Sequence, residues 1–291
     1  MSLFLLSLGF GIVTAAVLAL SSVGLSLQFG VTNFVNFAYG AYLGFGMFLT
    51  YTLASLLHFP LWLSVVLGCI LTGVLAVVID LVILEPFVRR RTSGFFMLIV
   101  TFGLQLLLLN IIQAVWGVGF QSFTSGSGSP ITIGPFSFTA DQLGIVALAV
   151  VAMVGIHLLL TRTTLGKSMR AMSDDPSLAK VSGIDTARVT LWTWFISGCL
   201  AGLGGVTLAL NTVSFQAYTG NNFLFVIFAA VILGGIGKIY GAMLGALCIG
   251  LVVEVSGVWL SSAYKLDVAF GVLVLVLLVR PQGIIPTLGK A

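Results

Sequence analysis

Long apolar runs separated by short polar or glycine-containing breaks occupy almost the whole chain. The hydrocarbon core of a bilayer is about 30 Å thick and takes about 20 apolar residues per helix, and the chain divides readily at that length. The pattern predicts an all-α, polytopic membrane helical bundle that forms a single transmembrane domain over residues 1–291. Its eight or nine expected spans are residues 5–29, 37–57, 61–84, 95–116, 142–161, 190–212, 223–237, 240–261 and 267–279.

The composition excludes a soluble globular protein. Hydrophobic residues make up 59% of the 291 positions and charged residues only 7%, against roughly 25% charged in ordinary soluble domains. The net charge of +4 does not indicate nucleic acid, because the basic residues lie between apolar spans and not on one contiguous stripe. Membrane lipid is therefore the expected surrounding, and Cys69, Cys199 and Cys248 are interpreted as small hydrophobes.

The basic residues predict which loops face the cytoplasm, because cytoplasmic loops carry an excess of Lys and Arg. Arg89, Arg90 and Arg91 follow the third span, and further basic residues follow the fifth. The loop at residues 162–188 is therefore expected inside, and the Gly/Ser-rich loop at residues 117–141 outside. The same count places the N-terminus outside if there are nine spans.

A polar, glycine-containing stretch from Gln28 to Gly40 separates the first two apolar runs. Backbone freed by a helix break must bond to protein or water, so a break here predicts an interrupted helix, near the N-terminal third, that lines a cavity. An ordinary turn capped by Asn residues is the alternative. Six polar residues are candidates for lining a translocation path, or else for hydrogen bonds between helices: Asn33, Asn36, Tyr39, Thr101, Gln105 and Asn110.

Glycines at four-residue spacing predict helix faces on which neighbouring helices pack closely. They are Gly40 and Gly44, and further along the chain Gly237, Gly241 and Gly245. The sequence Tyr-Gly-Ala-Tyr-Leu-Gly at residues 39–44 is nearly repeated by Tyr-Gly-Ala-Met-Leu-Gly at residues 240–245. The repeat indicates either internal pseudo-symmetry or chance in a chain rich in Gly, Ala and Leu.

The polar stretch after the fifth span predicts a short amphipathic helix from Leu165 to Met172, with Pro176 ending it. Such an exposed element is suited to dock onto a soluble partner, although a charged loop that only sets the topology has the same appearance. Gly-Lys-Ser at residues 166–168 lacks the upstream glycine of a P-loop. The chain itself is therefore not expected to bind ATP.

The sequence contains no cluster that indicates catalysis or a metal site. His58 and His157 are isolated, and the adjacent Asp174 and Asp175 have no His or Cys nearby. Neither enzyme activity nor a cofactor is expected in this chain. Glu254 lies inside a span, where an acid either serves as a proton or cation site or is paired within the bundle.

Four stretches of the chain carry a further pattern: residues 29–40 with an Asn-Phe-Ala-x-Gly core, residues 166–184, residues 231–245, and Arg-Pro-Gln-Gly at residues 280–283. In this order they resemble the permease family of branched-chain amino acid ABC importers, specifically its LivH-like half. The resemblance covers nearly the whole chain and implies a permease domain of the ABC importer type, with residues 162–188 as its ATPase-coupling loop. The residues that match the coupling pattern are Gly166, Arg170, Ala171, Asp174 and Gly183.

The same resemblance implies further subunits and a location. These are a LivM-like second permease, two cytoplasmic ATPase subunits that bind ATP and Mg²⁺, and an extracytoplasmic solute-binding protein, in the cytoplasmic membrane of a bacterium or archaeon. The implied function is import of a branched-chain or other amino acid by ATP-driven alternating access. Tyr39 departs from the family pattern, in which many relatives have His, and this leaves the substrate open. The alternative is a stand-alone secondary transporter or channel for a small polar solute such as urea or an amide, with Glu254 as its ion-coupling group.

Overall fold

The computed structural model describes residues 2–90, 92–123, 131–133, 136–261, 264–279 and 283–284. Backbone groups in lipid must be hydrogen-bonded within the protein, which favours helices for long apolar runs. The helices are α1 (Ser2–Thr32), α2 (Tyr39–Tyr51), α3 (Leu61–Ile79), α4 (Glu85–Arg89), α5 (Gly94–Trp116), α6 (Ala140–Arg162), α7 (Thr164–Asp174), α8 (Pro176–Val181), α9 (Thr186–Thr212), α10 (Thr219–Gly234), α11 (Ile239–Ser256) and α12 (Lys265–Val279). Two π-helical turns, Thr52–Leu56 and Asp80–Leu84, continue α2 and join α3 to α4.

In the described part of the chain, four short strands lie outside the long helices. Strand β1 (Gln121–Ser122) pairs antiparallel with β4 (Ser214–Phe215), and β2 (Ile131–Ile133) pairs antiparallel with β3 (Phe136–Phe138). The loop predicted at residues 117–141 therefore contains strands, which corrects the all-α expectation there. Alternating apolar and polar residues in β2 and β3 favour strands over helix.

Among the described residues, six helices are long and apolar enough to cross a membrane: Phe4–Thr32, Leu61–Arg89, Gly94–Trp116, Ala140–Arg162, Thr186–Thr212 and Ile239–Ser256. They make the chain a multi-pass membrane protein. The other three predicted spans are also helical, but α10 has 16 residues and α12 has 15, and α2 with its π turn covers only residues 39–56. Helices α10 and α12 are shorter than the about 20 residues of a full crossing, and none of the three is among the six candidate spans, so the count of eight or nine spans stays a prediction.

Helix α1 lies at the centre of the bundle and packs against α6, α9 and α11. Small residues line these contacts and let the helix backbones approach closely. A Cβ on Gly250 of α11 would lie 2.5 Å from the Cα of Ala15, and one on Gly204 of α9 would lie 2.0 Å from the Oγ of Ser21. Large apolar side chains face outward instead, as Trp62 does at 70% exposed, which suits a surface surrounded by lipid.

The backbone from α1 to α5 and the backbone from α9 to α12 share the same order of helices and breaks, at positions about 180 residues apart. In each, a long helix ends at a residue with positive φ, 61° at Asn33 and 65° at Val213, and a new helix begins six residues later. We name these two breaks the inner interruption (residues 33–38) and the outer interruption (residues 213–218). The packing also repeats, because α1 packs on α11 as α9 packs on α3, and α2 packs on α5 as α10 packs on α12.

The two repeats are inverted with respect to each other. Along the contact of α1 with α9, Ser21 meets Gly204 whereas Gly24 meets Ser197, so the two helices run antiparallel. The inner interruption follows the end of α1 that lies against α7, within the loop predicted to be cytoplasmic. Inverted repeats with discontinuous helices are typical of membrane transporters.

The sequence repeat of residues 39–44 at residues 240–245 is not this structural repeat. Residues 39–44 begin α2, whose equivalent is α10, whereas residues 240–245 lie in α11. Helices α2 and α11 both make close contacts through glycine, and this common need for small residues accounts for the similar sequences.

Glycines at the predicted packing positions meet neighbouring helices, and one of them, Gly237, does so from a turn and not from a helix. A Cβ would lie 3.1 Å from the Cα of Asn221 at Gly40, 2.9 Å from the Cδ1 of Ile112 at Gly44, 2.2 Å from the carbonyl oxygen of Gly234 at Gly241, and 2.0 Å from the carbonyl oxygen of Ala230 at Gly245. Gly237 differs from the expectation, because it lies in the turn before α11 with a φ of 79°. Glycine suits this turn because it adopts positive φ without steric cost.

Candidate functional site

The inner interruption is built from local backbone geometry. Helix α1 ends at Thr32, and Asn33 follows with a φ of 61°, a left-handed conformation that Asn adopts more readily than most residues. Its N–H still donates to the carbonyl of Phe29 at 2.8 Å. The side chain of Asn36 then accepts from the N–H of Ala38 at 3.0 Å and stabilises the turn that begins α2. The interrupted helix expected from the sequence is therefore present.

Side chains around the inner interruption form a buried polar cluster. The Nδ2 of Asn36 donates to the Oε1 of Gln28 at 3.3 Å, and the hydroxyl of Tyr39 donates to the carbonyl of Ser21 at 2.9 Å. Gln28, Asn36 and Tyr39 are each at most 1% exposed. These bonds satisfy polar groups that the helix break places in an apolar interior.

Helix α5 adds two more predicted residues to this cluster. The Oγ1 of Thr101 donates to the carbonyl of Val35 in the inner interruption at 3.4 Å, and the Nε2 of Gln105 donates to the Oδ1 of Asn221 on α10. Both are buried, as their spacing of four predicts for one helix face. Asn110 lies on the exposed side of α5 and donates to a carbonyl of its own helix at 2.7 Å, so the structure separates it from the other candidates.

The cluster retains polar atoms that are not hydrogen-bonded. Within the described part of the chain, the Nε2 of Gln28, the Oε1 of Gln105 and the Nε1 of Trp194 are buried without a hydrogen-bond partner. Buried polar atoms are normally paired with protein or ordered water, so these three atoms depart from the usual pairing. Sequence reasoning missed Trp194, because a Trp inside an apolar span gives no sign of its neighbours.

A groove of about 550 Å³ lies beside the inner interruption, on the side predicted to be cytoplasmic. Asn33 is exposed and lines this groove, so it does not face the buried cluster. Asp80, on the π turn after α3, lines the same groove but is itself only 4% exposed. The sequence alone did not single out Asp80, because a π turn that redirects a side chain leaves no recognisable pattern.

Helices α7 and α8 form a capped hairpin between α6 and α9. The Oγ1 of Thr163 accepts from the N–H of Gly166 at 3.0 Å, and the Oδ1 of Asp175 accepts from the N–H of Leu178 at 3.0 Å. Each bond satisfies a donor that a helix N-terminus leaves free. Met169 packs in an apolar cluster with residues of α1 and α6, which fixes the hairpin on the bundle.

The predicted coupling residues lie in different environments of this hairpin. Arg170, Asp174 and Gly183 are exposed, Ala171 is half-buried and Gly166 is buried. A Cβ on Gly166 would lie 2.2 Å from the carbonyl oxygen of the α6 residue Leu159. The exposed residues are therefore available to a partner, whereas Gly166 is needed for the packing of α7 on α6.

Glu254 is paired within the bundle. Its carboxylate accepts from the Nζ of Lys265 at 2.8 and 2.9 Å and from the Oγ1 of Thr14 at 3.0 Å. Of the two interpretations of Glu254, the structure shows a carboxylate that is paired within the bundle. Its bonds connect α11 to α1 and α12. Across the described residues, no three or more His, Cys, Asp and Glu side chains are grouped as a metal site requires.

An inverted repeat of interrupted helices around a buried polar cluster defines a membrane transporter of the discontinuous-helix class. Residues 7–278 match the family model described as branched-chain amino acid transport system / permease component, and the chain belongs to this family.

Similar proteins cover almost the full chain. The probable branched-chain amino acid transport permease protein LivH of Methanocaldococcus jannaschii is 30% identical over 94% of this chain and 90% of its own length. The high-affinity branched-chain amino acid transport system permease protein LivH of Escherichia coli is 29% identical over 94% of this chain and 93% of its own length. LivM of the same organism is 27% identical over 90% of this chain and 66% of its own length.

Among solved structures, a chain of PsaBC from Streptococcus pneumoniae in complex with Fab superimposes with a TM-score of 0.54 at 13% identity, over 94% of this chain and 91% of that chain. At this identity the likeness concerns the fold alone. The relatives support a transport permease and do not favour the stand-alone alternative.

Proposed function

We propose that this chain is a permease subunit of an ATP-driven importer that moves branched-chain amino acids across the cytoplasmic membrane of a bacterium or archaeon. The family and the names of the similar LivH proteins support the substrate class. The observation that carries the proposal is the buried polar cluster around the inner interruption, in which the amides of Gln28 and Gln105 keep unpaired polar atoms.

The proposed mechanism is alternating access between the two interruptions. A solute reaches the buried cluster around Asn36, Tyr39 and Gln105 from outside and leaves towards the groove at Asp80. Because the two interruptions belong to inverted repeats, a rotation of one repeat against the other can open one end while it closes the other. Each state must bind the solute or the ATPases differently for ATP to drive the change.

The proposed coupling element is the α7–α8 hairpin. It exposes Arg170 and Asp174, and beside them the apolar Leu178 at 64% and Val181 at 87% exposed. Exposed apolar side chains among charges suit a protein contact. We assign this contact to two cytoplasmic ATPase subunits, which would bind ATP and Mg²⁺, so this chain carries neither cofactor nor enzymatic activity.

Two further partners complete the proposed importer. The similarity to both LivH and LivM supports a pair of related but different permease chains. The outer face, with β1 paired to β4, is the proposed contact for an extracytoplasmic solute-binding protein.

Reconstitution tests the proposal. The chain would be co-expressed with its partner subunits, purified, placed in liposomes and assayed for uptake of labelled L-leucine with and without ATP. We expect ATP-dependent uptake that falls about tenfold in Arg170→Glu, which is within the usual range of coupling energies. Arg90→Glu is the control, because Arg90 is also exposed but follows α4, outside the coupling loop. Uptake by this chain alone, without ATPase subunits, would contradict the proposal.

A further inference from the structure

The groove beside the inner interruption has an unusual arrangement of charge. It is lined on one side by the α3–α4 junction and on the other by the α7–α8 hairpin and the start of α9. Asp80 and Glu85 come from the first side, and Lys180 from the second. The groove therefore spans the bundle and its proposed coupling element.

Among the described residues that line the groove, two charged groups lack an opposite charge. Arg89 donates to the Oε1 of Glu85 from Nε at 3.0 Å and from Nη2 at 2.7 Å, so this pair is neutral together. Asp80 is 4% exposed, and across the described ranges it has neither a hydrogen bond nor an ion pair. Lys180 is exposed, and it likewise makes no ion pair with a residue of those ranges. One carboxylate and one ammonium group thus remain to bind a ligand.

A buried carboxylate without a partner is unfavourable, because burial removes the water that solvates its charge. A cationic group that enters the groove would compensate for the lost hydration by a charged hydrogen bond to Asp80. The ammonium of Lys180 would attract an anionic group on the same ligand. The apolar side chains of Phe34, Met172 and Leu191 also line the groove. Its volume of about 550 Å³ lies within the roughly 300–1,000 Å³ of small-molecule sites.

We propose that this groove binds an aliphatic α-amino acid as a zwitterion on the cytoplasmic side, with its ammonium group at Asp80 and its carboxylate at Lys180. The inference rests on the proposed function for its substrate class, and it adds a specific release site with named residues. The aliphatic side chain lies against Phe34 and Met172.

This site couples release to the hairpin. Asp80 belongs to the bundle and Lys180 to α8, so an amino acid that contacts both holds the hairpin in one position. A movement of the hairpin that separates the two residues weakens binding and releases the amino acid. By thermodynamic linkage, a high concentration of the amino acid inside the cell opposes the same movement.

The test measures binding at this site in the whole transporter, without binding protein and without nucleotide. Equilibrium binding of L-leucine is compared with leucinamide, which lacks the carboxylate, and with 4-methylpentanoate, which lacks the ammonium group. We expect both analogues to bind about tenfold more weakly than leucine, since each loses one hydrogen bond between charged groups.

The variants assign each end of the ligand. Asp80→Asn should weaken leucine about tenfold and abolish the preference for leucine over 4-methylpentanoate, whereas Lys180→Gln should weaken leucine similarly and abolish the preference over leucinamide. Lys167→Gln is the control, because Lys167 is exposed on α7 but does not line the groove. Its affinities should equal those of the wild type.

Unchanged leucine affinity in a folded Asp80→Asn variant would overturn the proposal, because it would show that the Asp80 carboxylate does not bind the ammonium group of the amino acid. If Asp80→Asn does not fold, the proposal is tested by the affinities of Lys180→Gln for leucine and leucinamide, since Lys180 is exposed and its replacement should not prevent folding. ATP-dependent leucine uptake by the wild type tests the proposed function separately. Normal uptake together with unaltered binding in both variants would remove the groove site and leave the importer in place.

Discussion

The inner and outer interruptions share a backbone path but have opposite chemistry. In both, a helix ends at a residue with positive φ, and the turn before the next helix closes with one hydrogen bond. The N–H of Tyr39 donates to the carbonyl of Asn36 at 3.4 Å, and the N–H of Thr219 donates to the carbonyl of Gln216 at 2.9 Å. The backbone alone therefore does not distinguish the two ends of the path.

The side chains do distinguish them. The inner interruption is surrounded by hydrogen-bonded amides and a tyrosine hydroxyl, and it borders the groove at Asp80. The outer interruption carries Phe215, whose ring centroid lies 5.2 Å from that of Phe48, 5.4 Å from that of Phe123 and 6.0 Å from that of Tyr51. The same backbone break is thus polar and next to a groove at the inner end, and closed by aromatic rings at the outer end.

Replacing the centre of the aromatic closure should have the largest effect. Phe215→Ala removes a fully buried ring and should lower the free energy of unfolding by about 3–5 kcal/mol. Thermal melting of the purified protein measures the loss. Phe120→Ala removes a ring that is 71% exposed, so its melting temperature should stay near that of the wild type. Equal melting of both variants would show that the aromatic cluster does not hold the outer end closed.

The crossing of α2 and α10 is one place where the two repeats meet directly. A Cβ on Gly220 would lie 2.5 Å from the carbonyl oxygen of Gly40, and backbone atoms cannot move aside as a flexible side chain can. Gly220→Ala should therefore destabilise the protein by about 3 kcal/mol. Gly103→Ala is the control, because nothing lies within 4 Å of a Cβ at Gly103. The melting temperatures of both variants in the same detergent test this expectation. A Gly220→Ala variant as stable as the wild type would show that the two helices can move apart at the crossing.

Amides at equivalent positions of the two interruptions allow a matched comparison. Asn36→Ala removes the bonds to the amide of Gln28 and the N–H of Ala38 and leaves both groups buried, so it should cost about 2 kcal/mol. Gln216→Ala, at the corresponding outer position, removes a half-buried side chain and should change stability by less than about 0.5 kcal/mol. Leucine uptake should fall with Asn36→Ala and persist with Gln216→Ala. Equal losses would show that the difference in chemistry does not matter for transport.

The sequence predicted the inner interruption but not the outer one. Gln28, Asn33 and Asn36 form a conspicuous polar stretch between apolar runs, and polar residues in a membrane must be satisfied by protein or water. The outer interruption contains Val213 and Phe215, whose types are common in spans, so no periodicity revealed it. For the same reason the inverted repeat was not visible, since the equivalent positions share a backbone path and differ in side chain.

The candidate site was predictable only where polarity and helical spacing coincide. Thr101 and Gln105, four residues apart, do share the buried face of α5. The role of Asp80 depends on a π turn, and the position of Gly237 depends on where α11 begins. Both are set by packing between distant parts of the chain, which a single sequence does not contain.

The smallest expected effect concerns one hydrogen bond at the start of α2. The hydroxyl of Tyr39 donates to the carbonyl of Ser21 at 2.9 Å in an interior from which water is excluded. Tyr39→Phe keeps the ring and removes only this donor, so it should cost about 1 kcal/mol. Tyr218→Phe is the comparison at the outer interruption, where the side chain is 47% exposed. The hydroxyl of Tyr218 can bond to water in both the folded and the unfolded protein, so its loss should change stability little.

Melting of the two single variants and of the double variant measures this difference. The cost should come from Tyr39→Phe alone, and the two changes should add, because the sites share no hydrogen-bond partner. A cost for Tyr218→Phe that equals that of Tyr39→Phe would contradict the view that only the inner interruption depends on buried hydrogen bonds. A larger loss of leucine uptake than of stability in Tyr39→Phe would instead indicate that the hydroxyl also contacts the solute, since a structural bond affects both only through folding.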